Sequence, residues 1–243
     1  MNSQLLYHYT TPFAFHKILD CGFLRASNAL CLKDKSECRH AIDSLGVIIP
    51  RIKLNKLWHS LEDTLLSRPR YVVSFSKLRN DAYMWEKYGA KGTGACIVVD
   101  TRKLRSIWES FECKYYKREK FPLLQQFSIY WNECGDKAIE DKMNDIRNWN
   151  ISFKRKRFHR EAEVRYVCTP NPKTPIAQVK DPHVGMLATQ ISKCLNSYSD
   201  EFCDENGNAC MPFYLNGAIH EIILGPRYPK YIGNHGRFEA VRQ

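Results

Sequence analysis

No stretch of this 243-residue chain approaches the roughly 20 consecutive apolar residues of a membrane-spanning helix, so no membrane association is expected. The opening MNSQLLYHYT lacks the charged region, apolar stretch and small-residue cleavage site of a secretion signal, and the expected location is cytoplasmic. Ten cysteines are scattered along the chain with no C-x-x-C pair among them, which predicts reduced thiols rather than a disulfide framework. Cys38 and His40 match no common zinc spacing, and DENGNA, between Cys203 and Cys210, places only one aspartate in calcium-loop register. No metal site is predicted. H-E-x-x-H and G-x-S-x-G are missing, and KGTG lacks the glycines and the Gly-Lys-Ser/Thr ending of a phosphate loop. There is no repeat of fixed period and no Pro/Ser-rich linker.

What is present suits one globular unit: 44% hydrophobic residues to build a core, 26% charged residues, and glycine and proline spread without period. The formal net charge of +11 gives the surface a field that attracts polyanions, such as nucleotides, DNA or RNA, or acidic proteins.

QLLYHYT reads as a strand feeding a helix in TTPFAFHKILDCGFLRAS, with Thr11 as cap, Pro12 at the first helical position and Gly22 to end it. Helical spacing recurs in AIDSLGVIIP and LNKLWHSLEDTLLS, and RYVVSFS reads as a strand. NDAYMWEKYG follows as a short helix capped by Asn80 or Asp81 and stopped by Gly89, and KGTGACIVVD as a glycine turn with a buried strand. Residues 122–150 read as one or two helices, EAEVRYVCT and AIHEIILGPR as strands, and GMLATQISKCLNSYS as a helix. The order predicts an α+β fold: a single domain over 1–243, with a mostly antiparallel central sheet and a helical insertion at about 118–157.

Because successive side chains on a strand leave opposite faces, parity groups Leu6, His8 and Thr10 in the first strand, Ser74 and Ser76 in the second, and Glu161, Glu163 and Arg165 in the third. If these strands are neighbours, His8, Thr10, Ser74, Ser76, Glu163 and Arg165 line one surface rich in donors and acceptors, suited to a ribose and an amide. The alternative is that each stripe faces water, its charges forming surface ion pairs of little weight. Two readings also stand for Trp85 and Tyr88, which with Met84 lie at helical spacing: core residues, or an aromatic platform. The run Lys154, Arg155, Lys156, Arg157 is either a solvated helix end or a phosphate-binding patch, with Phe153 and Phe158 available to stack on bases.

In order, LYHYT, VVSFSKLRNDAYMWEKYG running into GTGACIVVD, HREAEVRYV and HEIILGPR resemble the bacterial family catalogued as domain of unknown function 2971. The same residues are similar, more distantly, to ADP-ribosyltransferases, which carry a His or Arg on an early strand, a Ser or Tyr on a middle one and a Glu on a late one. That resemblance implies a split sheet and NAD as the cofactor consumed. It assigns His8 and Glu163 as catalytic residues, with His8 binding the adenosine ribose and Glu163 accepting from the nicotinamide-ribose hydroxyl and favouring the charge that develops there. Tyr9, Thr10, Ser74, Ser76, Trp85, Tyr88 and Arg165 would complete the cofactor-binding set, with Trp85 or Tyr88 stacking on nicotinamide and Arg165, or a member of the basic cluster, offsetting the pyrophosphate. Here Tyr9 stands where many members have glycine, and SFS replaces the more usual Ser-Thr-Ser. The implied function is an NAD-dependent ADP-ribosyltransferase or NAD glycohydrolase acting on a nucleic-acid or protein acceptor, as a toxin or anti-phage effector. The alternatives are a nucleic-acid-binding protein or nuclease working through Lys154, Arg155, Lys156 and Arg157, and a non-catalytic partner-binding member of the fold.

Overall fold

The computed structural model describes residues 5–29, 32, 40–67, 70–104, 108–117, 124–135, 137–169, 210–215 and 217–228. The predicted helix in GMLATQISKCLNSYS and the DENGNA turn lie outside the described residues.

Strand β1 (Leu5–Thr10) runs into α1 (Pro12–Cys21) as the capping pattern requires. Thr11 Oγ1 accepts from the Ala14 N–H at 3.3 Å, Pro12 occupies the first turn, and Gly22, at φ 72°, ends the helix. The residues after Gly22 then alternate, burying Leu24 and Ala26 and exposing Arg25, and form β2 (Phe23–Asn28), a strand not predicted from the sequence. Next come α2 (His40–Leu45), α3 (Arg51–Ser67), β3 (Tyr71–Ser76) and α4 (Ala82–Lys87), whose N-cap is Asp81, accepting from the Met84 N–H. After β4 (Ala95–Asp100), β5 (Glu109–Glu112) and β6 (Lys114–Tyr116), the predicted insertion holds α5 (Leu124–Cys134), α6 (Lys137–Asp141) and α7 (Met143–Ser152), then β7 (Phe153–Arg155). Strands β8 (Glu163–Cys168), β9 (Cys210–Tyr214) and β10 (Ile219–Leu224) complete the described elements.

The α+β class and the mostly antiparallel sheet are as expected. Eight strands form one sheet in which β10, β4, β1, β3, β2 and β9 follow in order, β8 also pairs β3, and β5 pairs β8. Every pairing in it is antiparallel; β6 and β7 form a separate parallel pair. Strand β3 organises the sheet. One edge pairs with β8 along its whole length, from Tyr71 opposite Cys168 to Ser76 opposite Glu163. The other edge is shared, β1 meeting it at Tyr7 opposite Ser76 and β2 at Ser27 opposite Val72 and Asn28 opposite Tyr71. Strands β1 and β2 therefore part along that edge, and the sheet is split.

One sheet face carries the main core, with Leu6, Ile97 and Val99 fully buried against Phe15 and Ile18 of α1. Burying a side chain of this size stabilises by about 1.5–3 kcal/mol. The other face packs Tyr7, Tyr9, Cys96 and Val98 against Met84 and Trp85 of α4. Helices α2, α3, α5 and α7 share a further cluster around Ile42, Leu57, Phe127 and Ile146. Among the described residues no helix is long and apolar enough to cross a membrane.

Two glycines are dictated by close backbone approach. The Gly225 N–H donates to Gly94 O and the Arg227 N–H to Gly92 O, both at 2.8 Å, while a Cβ on Gly94 would lie 2.0 Å from Thr10 O. The Gly-Thr-Gly turn and the Gly-Pro-Arg turn thus lock backbone to backbone. Gly94→Ala should cost about 2–3 kcal/mol or more, read as a lower midpoint in urea, because backbone rather than a flexible side-chain tip would have to move.

Candidate active site

The strand register decides which residues share a face. Val98, Tyr7, Ser76 and Glu163 form one row across β4, β1, β3 and β8, and Ser74 with Arg165 lies one step along on the same face. His8 stands opposite Ile97 and its ring packs edge-on against Phe75, with centroids 5.8 Å apart. His8 and Thr10 therefore leave the opposite face from Ser74, Ser76, Glu163 and Arg165, which overturns the single surface grouped by parity. Parity within a strand cannot reveal the offset between strands, and the observed register is shifted by one residue from the assumed one.

His8 instead lies at the split. Its Nδ1 is 3.1 Å from the Ser74 carbonyl, which can only accept, so Nδ1 carries the proton of a neutral imidazole. Burial pushes its pKa below the usual 6.5, and the Ser74 bond opposes this only in part.

On the other face is a buried ion network that starts from the two glutamates. Residues 156–161 form a 3-10 turn and Ala162 adopts φ 43°, so Glu161 precedes β8 rather than belonging to it. That turn brings both carboxylates onto Lys154, whose Nζ lies 2.8 Å from Glu161 Oε2 and 2.5 Å from Glu163 Oε2. Arg165 Nε donates to Glu163 Oε1 at 2.8 Å, and its Nη1 donates to Ile151 O at 2.8 Å. Glu161 Oε1 accepts from Lys87 and, at 2.7 Å, from the Tyr88 hydroxyl. The Ser76 hydroxyl donates to Glu161 O at 2.7 Å, and the Tyr115 hydroxyl accepts from the Glu163 N–H at 2.7 Å. Lys154, Glu161, Glu163 and Arg165 are each 5% exposed or less, so three cations, with Lys87, serve two carboxylates out of water.

Burial by itself would raise the Glu163 carboxyl, but the Arg165 and Lys154 charges outweigh it and hold it at about 2. Burial would likewise lower Lys87; its hydrogen bonds to Glu161, Tyr83 and Tyr88 raise it instead. Tyr88 is raised by burial and by Glu161, which keeps its hydroxyl a donor.

Several predicted site residues have other occupations. Lys154 is no surface cation: it is 4% exposed and neutralises the glutamates. Arg155 is half-buried, and Lys156 and Arg157 are exposed. Trp85 is core, edge-on to Tyr9 at 4.9 Å with its indole N–H on Asn80 Oδ1. The Tyr9 hydroxyl donates to Leu78 O and accepts from the Asp81 N–H, fixing the turn into α4. Thr10 is buried and Ser74 exposed. Sequence reasoning misses Lys87 and Tyr115 as members of the network. A lysine and a tyrosine in otherwise polar segments give no periodic signal, and the apolar Phe153 beside Lys154 is the one hint of an inward cation.

Removing one partner from a buried charge set leaves the rest uncompensated, so Lys154→Met should cost about 3–5 kcal/mol in denaturant unfolding. Acid titration separates the two faces. The folded pKa of His8 is lowered from 6.5, so its contribution is complete above 6.5 and is lost as pH falls through the folded value. Glu163, lowered from 4.5 to about 2, contributes fully above 4.5 and loses that contribution only toward pH 2. His8→Gln should flatten the first loss of stability below pH 6.5 and Glu163→Gln the second, as read by melting temperature against pH.

Residues 84–166 match the model of a family described as Protein of unknown function (DUF2971). The match spans Met84 in α4 to Tyr166 in β8 and takes in Lys87, Tyr88, Lys154, Glu161, Glu163 and Arg165. No curated protein and no solved structure matches the chain. The resemblance to the domain-of-unknown-function family 2971 thereby holds for the stretch that carries the buried ion network.

Proposed function

We propose that the chain is an NAD-dependent ADP-ribosyltransferase or NAD glycohydrolase of the toxin or anti-phage kind, with its chemistry on the Glu163 face of the split sheet. One observation carries this reading: a glutamate held ionised at the start of β8, beside Ser76, where β1 begins to part from β3. In the reaction the bond between the nicotinamide nitrogen and the anomeric carbon breaks, and its electron pair leaves with nicotinamide. An acceptor oxygen or nitrogen, or water, then bonds to that carbon and releases its proton. A carboxylate ionised in advance, in low dielectric, favours the positive charge that builds on the carbon. Tyr88, 38% exposed, is the aromatic placed to meet nicotinamide, in place of buried Trp85. Arg165 is committed to Glu163 and to Ile151 O, and the Lys87 side chain, 33% exposed, is the network cation nearer to solvent for a pyrophosphate. His8, on the opposite face, organises the split and takes no chemical step.

A second reading is favoured by the engagement of both Glu163 oxygens, by Lys154 and Arg165: a nucleotide- or partner-binding protein that does not cleave.

Nicotinamide release from NAD, followed by chromatography, tests both. Wild type should release it, Glu163→Gln should lower the rate by about 100-fold or more, and His8→Ala should retain it, with melting curves separating lost chemistry from lost fold. Calorimetric binding of NAD without release supports the second reading. Absence of both binding and release overturns the first reading and the NAD-binding form of the second.

A further inference from the structure

The cations and aromatic rings above the buried network come together from two distant segments. Tyr83 and Tyr88, on and just after α4, and Phe158, in the turn over 156–161, form a group of three rings, each overlaid by a cation. The Lys87 ammonium lies 5.5, 5.1 and 4.8 Å from the Tyr83, Tyr88 and Phe158 ring centres. The Arg160 guanidinium is 4.7 Å from Tyr83 and that of Arg157 is 4.6 Å from Phe158. Lys156, Arg157, His159 and Arg160 are exposed or nearly so, and Glu86 is the exposed carboxylate of α4.

We propose that this face binds single-stranded nucleic acid. Phosphates are drawn by the clustered cations and by the net charge of +11. Unpaired bases stack on the rings and on the flat guanidinium groups; a guanidinium over a half-buried ring, as Arg160 lies over Tyr83, is a weak contact that a base displaces, while Lys87 stays with Glu161. A duplex keeps its base faces covered, and an acidic peptide has no use for three rings, so the combination of cations and rings selects the single strand. As the docking face for an acceptor strand, the patch rests on the NAD reading. As a binding surface it does not.

The test is fluorescence anisotropy, without NAD, on a labelled oligothymidine of about 12 nucleotides, within the usual site size of such surfaces. Affinity should fall steeply with salt. Arg157→Gln with Arg160→Gln should lower the slope of log affinity against log salt by about 1.4, at roughly 0.7 for each phosphate no longer neutralised. Tyr83→Ala should weaken binding about tenfold and leave that slope unchanged, as removal of one stacking ring predicts. Tyr83 is the reporting ring because its tie to the network is an exposed hydrogen bond from Lys87 at 3.2 Å, which Tyr83→Phe removes with the ring kept, so that Tyr83→Phe should bind as wild type; Phe158 lies over Lys154, 4.9 Å away, inside the network. Absence of binding, equal competition by duplex DNA or polyglutamate, or a Tyr83→Ala variant that binds as wild type overturns the proposal. NAD turnover does not enter the measurement, so the proposal and the NAD reading can fail separately.

Discussion

Two carboxylates withdrawn from water must find cations, and that obligation ties the fold together. Glu161 and Glu163 sit at the mouth of β8, and the charges that offset them come from three places: Lys87 at the end of α4, Lys154 on β7 directly after α7, and Arg165 on β8 itself. None of these segments can be displaced without leaving an unpaired charge in low dielectric. The helical segment α5–α7 is therefore attached to the sheet by these ionic and hydrogen-bonded contacts together with Ile151, which packs with Val72 and Val167. Its apolar residues serve mainly to join α5 and α7 to α2 and α3.

Much of the fold was legible because local chemistry and tertiary structure agree. Thr11, Pro12 and Gly22 bracket α1, Asp81 caps α4, and the alternation of YVVSFS and EVRYVC marks two strands that prove to be neighbours. Legibility failed where the deciding quantity lies between segments. Parity placed His8 beside Glu163, yet the pairing of Tyr7 with Ser76 puts them on opposite faces. The E-x-E spacing suggested two glutamates on one strand, but the left-handed Ala162 breaks the strand between them, and a single alanine with positive φ leaves no trace in a sequence. Lys154 looked like one of four equivalent basic residues. Only burial separates it from Arg155, Lys156 and Arg157, and burial depends on what α7 and β7 pack against.

The split and the ion network lie close together for a reason of connectivity. Strand β3 spends one edge entirely on β8 and divides the other between β1 and β2. The point where β1 departs is Ser76, whose hydroxyl reaches Glu161 O and whose row partner is Glu163. His8 closes the gap from the other side through the Ser74 carbonyl. A change at His8 or at Glu163 is thus felt at the same opening, the first through hydrogen bonding and the second through charge.

The contact between the turns at Gly94 and Gly225 bears on how the protein comes into being. It joins two segments far apart in sequence, and β10 closes the β4 side of the sheet only after residues 219–224 have been made. Until then β4, whose six residues are all buried in the finished protein, has one edge open. Long-range closure of this kind is slow, and an open apolar edge can pair with another chain. During synthesis the time between emergence of residue 100 and of residue 219 is the interval in which that edge of β4 lacks its β10 partner.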